Sequence, residues 1–175
     1  VSYCAENKCV LTASWDRSIR VYNDTDPDAN EPTREVINAH AADISTLAFS
    51  HSLSLIASGA QDGSLKLWDF SFFAHDGTCR RLPDAGEITA MTFVHPYPLL
   101  VTADVDNMMS LWPVRPFWGH GTEFRRYSAA LHVLNMVDLS TVEPPFPAPI
   151  TAMQSFYDAT GGDEIAPGVN RGRHM

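Results

Sequence analysis

One segment recurs three times along this 175-residue chain, and its spacing limits the possible folds more than any other feature. It reads Trp15-Asp16-Arg17-Ser18-Ile19-Arg20-Val21-Tyr22, then Gln61-Asp62-Gly63-Ser64-Leu65-Lys66-Leu67-Trp68, then Val105-Asp106-Asn107-Met108-Met109-Ser110-Leu111-Trp112. Asp16 and Asp62 lie 46 positions apart, Asp62 and Asp106 44. Each copy opens on a turn signal and continues with alternating apolar residues, the pattern of a strand. A second segment recurs in step with it, at Ile44 to Phe49, Ile88 to Phe93 and Ile150 to Phe156. Ile44 and Ile88 are 44 positions apart but Ile88 and Ile150 are 62, so the third unit carries about 18 extra residues, expected as a long loop after Trp112.

The stretch from Ile44 to Phe70 is the best-formed copy. Its three apolar segments, divided by His51-Ser52 and Asp62-Gly63, read as consecutive antiparallel strands. Leu65 and Leu67 fall on one face of that sheet, and Ser64, Lys66 and Trp68 on the other. Both faces carry large apolar groups, so a sheet this small needs neighbours on both sides. The period is that of a propeller blade, roughly 40 to 45 residues. The expected fold is therefore all-β, built of four-stranded antiparallel meanders.

On these segments the chain resembles the WD-repeat (Gβ-like) β-propeller family, over nearly its whole length. The family pattern places a histidine before the first strand, Ser or Thr on the second, Asp in the tight turn and Trp at the end of the third. The second unit supplies His40, Ser58, Asp62 and Trp68, with Ala39 where the family has glycine. The first supplies Thr12, Asp16 and Tyr22, and the third Thr102, Asp106 and Trp112, with Asp84 in place of the histidine. Arg17 occupies the turn position held by Gly63, where a positive φ is uncomfortable for a long side chain. The units are expected as blade 1 over about 1–38, blade 2 over 39–83, blade 3 over 84–143 with an insertion at 113–130, and the start of a fourth over 144–175. Roughly three complete blades with fractions at both ends fall short of the four to eight that close a ring, so a longer chain is expected. The third unit also resembles repeats in long WD proteins of ciliates and apicomplexan-type protists, which implies a cytoskeletal or ciliary setting.

A formal charge of −9 works against nucleic acid and anionic membranes as partners, and no apolar run nears the roughly 18 residues that span a bilayer. Three cysteines, Cys4, Cys9 and Cys79, are too few for a disulfide scaffold and point to a reducing, cytoplasmic setting. Cys4 and Cys9 could be half of a metal site, but no second pair follows at a usable spacing, so they read as buried neutral thiols.

His40, Ser58 and Asp62 have the composition of a serine-hydrolase triad, but no Gly-x-Ser-x-Gly elbow accompanies them. Their spacing fits a repeat better than an active site, and a hydrogen-bond network ending on the Trp68 indole is the expectation. From Asp24, acidic or amide residues fall at EF-hand positions as Asp24, Asp26, Asp28, Asn30 and Glu35. Ala29 stands where that loop needs glycine and the flanks read as strands, so residues 24–35 are expected as a solvated acidic loop, with a calcium-responsive role as the alternative.

The chain is thus expected to be a non-catalytic scaffold for other proteins or peptides, with neighbouring blades or subunits among its partners and no cofactor. The resemblance implies one rim carrying Trp15, Asp43, Ser45, Gln61, Glu87, Thr89 and Val105. Phe117 and Trp118 on the insertion are further candidate anchors, because aromatic residues dominate interface hot spots. Glu143 to Pro149 is expected as a stiff connector.

Overall fold

The computed structural model describes residues 1–26, 30–71, 74–80, 86–114, 131–132, 135–141 and 148–154. Three antiparallel meanders follow the repeat. The first sheet orders β1 (Ser2–Cys4), β2 (Cys9–Ala13), β3 (Ile19–Asn23) and β4 (Arg34–Val36) as neighbours. The second runs β5 (Ile44–Ser50), β6 (Leu55–Ala60), β7 (Leu65–Asp69) and β8 (Ala74–Arg80). In the third, β9 (Ile88–Val94), β10 (Leu99–Asp104) and β11 (Met108–Pro113) lead to β13 (Asn135–Asp138) at the outer edge.

The alternation within each strand decides what each sheet packs against. Every residue of β6 is buried. Leu55 and Ala57 join Leu65, Leu67, Ile88, Met91, Phe93, Leu100 and Trp112 in a core between the second and third sheets. Ile56 and Trp68 point the other way, into a core with Leu11, Ile19, Val21 and Ile44 against the first sheet. The middle sheet is therefore covered on both faces, as its sequence requires. Each fully buried Leu or Ile contributes about 1.5–3 kcal/mol, so stacking, not propensity, holds the small sheets together.

Close approach of the second and third sheets depends on Gly59. A Cβ there would lie 2.8 Å from the Met91 terminal methyl and 2.9 Å from Ile88.

Two features differ from expectation. The chain that follows the insertion does not go directly to β13. It first lays β12 (Leu131–His132) parallel to Cys79 and Arg80 at the outer edge of β8, giving the second sheet a fifth strand and covering its exposed backbone edge. The segment expected to open a fourth unit carries no strand over residues 148–154. Residues 155–156, most of the insertion (115–130, with Phe117 and Trp118) and Asp28 lie outside the described residues.

Candidate functional site

The three β-hairpin turns that carry the repeated aspartates are built alike. Arg17 N–H donates to Ser14 O at 3.0 Å, Gly63 N–H to Ala60 O at 3.0 Å and Asn107 N–H to Asp104 O at 3.1 Å. The residue at the same place in each turn is left-handed, with φ of 65° at Arg17, 74° at Gly63 and 60° at Asn107. Geometry here is set by the turn and not by glycine, and Arg17 adopts the conformation despite its side chain.

These turns are tied to the residues that precede the first strands. Gln61 N–H donates to Asp43 O at 3.0 Å and Val105 N–H to Glu87 O at 2.9 Å. Asp43 is thereby held beside Gln61 and Glu87 beside Val105. Trp15, in the matching turn of the first sheet, is 74% exposed, and Val105 is 43% exposed. The Ser45 and Thr89 side chains turn toward backbone carbonyls further along the chain instead of outward. Ser45 Oγ donates to Ile88 O at 2.6 Å and Thr89 Oγ1 to Ile150 O at 2.5 Å.

Beneath the rim of the second sheet runs a polar chain. Trp68 Nε1 donates to Ser58 Oγ at 2.8 Å, and Ser58 Oγ lies 2.7 Å from His40 Nε2. His40 Nδ1 is 2.7 Å from Ser64 Oγ, and the Ser64 N–H donates to Asp62 Oδ1 at 2.9 Å. Ser64 thus links histidine to aspartate, a role that sequence reasoning missed. Its only signal is a small hydroxyl two residues after each turn carboxylate in the first two units, at Ser18 and Ser64. Desolvation pushes the Asp62 carboxyl up, but the Ser64 hydroxyl and N–H and the nearby His40 outweigh it and hold Asp62 below the usual carboxylate range. Ser58 and His40 are buried, at 0% and 2% exposure.

The other units run shortened versions. Trp112 Nε1 donates to Thr102 Oγ1 at 3.0 Å. The turn acceptor there is Asp104, itself buried, which takes the N–H groups of Asp106 and Met108 at 3.0 and 2.9 Å. In the first unit Asp16 accepts from Ser18 and, at 2.8 Å, from Arg20 Nη1, which holds its carboxyl well below the usual range.

The acidic loop is partly committed elsewhere. Glu35 lies on β4, 2.6 Å from Arg20 Nε, and Asp24 Oδ2 accepts from the Tyr3 hydroxyl at 2.9 Å. Asp26 and Asn30 flank the undescribed 27–29, and Asn30 is exposed. At the same end of the first sheet an open groove of about 330 Å³ is lined by Cys9, Val21, Arg34 and Phe70 among others. Arg34 is occupied there, donating to Phe70 O at 2.6 Å.

Comparison with known proteins agrees with this geometry. The WD domain, G-beta repeat family matches residues 1–23 and 31–69. The rice (Oryza sativa subsp. japonica) small ribosomal subunit protein RACK1y is 37% identical over 62 residues, covering 35% of this chain and 17% of that protein. Human WD repeat-containing protein 97 is 29% identical over 77 residues, covering 44% of this chain and 4% of that protein. The crystal structure of RRP9 WD40 repeats superposes with a TM-score of 0.66 at 13% identity, over 88% of this chain and 40% of that one. The chain therefore spans less than half of the solved propeller and a small part of each relative.

Proposed function

We propose, from the premise that this chain belongs to the WD-repeat family, that it is a non-catalytic scaffold which docks a protein or peptide on the rim carrying Trp15. Propellers of this family generally serve protein–protein interaction, and the observation that carries the finer reading is Trp15 itself. An indole 74% exposed on a rigid turn loses little freedom on binding and offers a large apolar contact. The equivalent turns and the residues before the first strands carry Asp43, Glu87, Asp62 and Asp106, against one exposed cation, Arg17, in the Trp15 turn. The occupant that fits is a basic segment with an apolar anchor. Burial of Ser58 and His40 supports the non-catalytic reading, since a substrate has no path to a serine at 0% exposure. The network is read as bracing that fixes the rim. A cytoplasmic setting belongs to the same proposal, by analogy with RACK1y, a small ribosomal subunit protein by name.

The test is selection of peptides from a random library against the folded chain, followed by calorimetry. Trp15→Ala is expected to weaken the selected ligands by about tenfold or more, as loss of a hot-spot aromatic does. Ligands that bind Trp15→Ala as tightly as the parent would rule out this rim.

A further inference from the structure

The turns at the opposite rim bring together donors that lie far apart in sequence. Cys4 closes β1 and pairs in register with Cys9 across the Ala5 to Lys8 turn. Its thiol is 2% exposed and donates to Glu6 Oε2 at 3.6 Å. From the next sheet, His51 at the start of the β5–β6 turn reaches the same place, with Nδ1 3.4 Å from the Asn7 amide nitrogen. A Cys4 sulfur, a Glu6 carboxylate oxygen and a His51 ring nitrogen all lie within 4.8 Å of one another.

We propose that Cys4, Glu6 and His51 bind one zinc-class divalent ion, which clamps the first sheet to the second. A thiolate, an imidazole and a carboxylate form a donor set that suits zinc and disfavours calcium and magnesium, which take oxygen ligands. In a tetrahedral zinc site the donor atoms sit roughly 3.3–3.8 Å apart, given bonds of about 2.0–2.3 Å. Glu6 and His51 are exposed, so rotation of two surface side chains closes the remaining gap while buried Cys4 stays fixed. Water completes the fourth position. Cys9, which faces Cys4 across the hairpin, is not among these clustered donors. Binding releases the Cys4 proton to solvent, so affinity falls as the pH is lowered. The missing half of the site, absent from any local Cys spacing, is the histidine 47 positions along, delivered by the stacking of the sheets.

The full chain, kept reduced, is titrated with Co2+ as a spectroscopic probe. One equivalent is expected to give a thiolate-to-cobalt charge-transfer band that Zn2+ displaces. His51→Ala and Glu6→Gln, both surface changes, are each expected to weaken Co2+ binding by about tenfold or more. Cys4→Ser removes the band and Cys9→Ala leaves it. The proposal is overturned if no band forms at ten equivalents, if His51→Ala binds Co2+ as tightly as the parent, or if Cys9→Ala abolishes the band and so assigns the ion to the hairpin alone.

Discussion

The Ser45 hydroxyl donates to the Ile88 carbonyl across the gap between the second and third sheets, at 2.6 Å. The same bond recurs one unit later, from Thr89 to Ile150 at 2.5 Å, even though the third unit is longer by about 18 residues. The hydroxyl follows a buried isoleucine, Ile44 or Ile88, and reaches the carbonyl of the equivalent isoleucine further along, Ile88 or the half-buried Ile150. Strand packing and the Ser45 bond together keep the second and third sheets in a fixed register.

Ser45→Ala and Thr89→Val each remove one such bond at a partly buried site. Each is expected to lower stability by about 1 kcal/mol, and the losses should add, because the two bonds lie at separate sites with no shared partner. Urea unfolding of the two single variants and the double variant measures both quantities.

Gly59→Val is expected to cost as much or more. Its side chain would enter space held by Ile88 and the Met91 methyl, and overpacking of this kind costs about 1–3 kcal/mol. A second change, Met91→Ala, empties part of that space and should recover some of the loss in thermal unfolding. No recovery would mean that the glycine serves another purpose.

Ser58→Ala deprives the Trp68 indole N–H and His40 Nε2 of their shared partner in a buried site. A loss of roughly 1–3 kcal/mol is expected, without any change in reactivity toward a fluorophosphonate probe, which the parent should not take up either. Covalent labelling of the parent that vanishes in Ser58→Ala would restore the hydrolase reading.

Acid should weaken the second unit through Asp62. Its carboxyl is held below the usual range, so its contribution is present above the unfolded value near 3.9 and is lost as pH falls through the lower folded value. Asp62→Asn should therefore be less stable than the parent at pH 7, with the gap narrowing below about pH 4. A gap that stays constant from pH 7 to pH 3 would show that the carboxylate charge contributes nothing.

The strand order and the turn positions were legible because they depend on local signals: period-two alternation, turn residues and a repeat of 44 to 46 positions. Leu65 and Leu67 on one face and Trp68 on the other follow directly from the pleat. What was not legible depends on tertiary placement. Ser64 looks like any turn serine until His40 arrives beside it, and Asp104 is one of several aspartates until burial singles it out. β12 crosses back to an edge in another sheet, which no local pattern encodes. The left-handed Arg17 shows the reverse case, in which sequence expected discomfort and the surrounding hydrogen bonds impose the turn regardless.

The central claim, that the rim around Trp15 is the docking surface, is tested most directly by amide hydrogen exchange with and without a bound, library-selected peptide. Binding is expected to slow exchange in the segments around Trp15, Gln61 and Val105 and to leave the Ala5 to Lys8 and His51 to Ser54 turns unchanged. Protection confined to those opposite turns would contradict it.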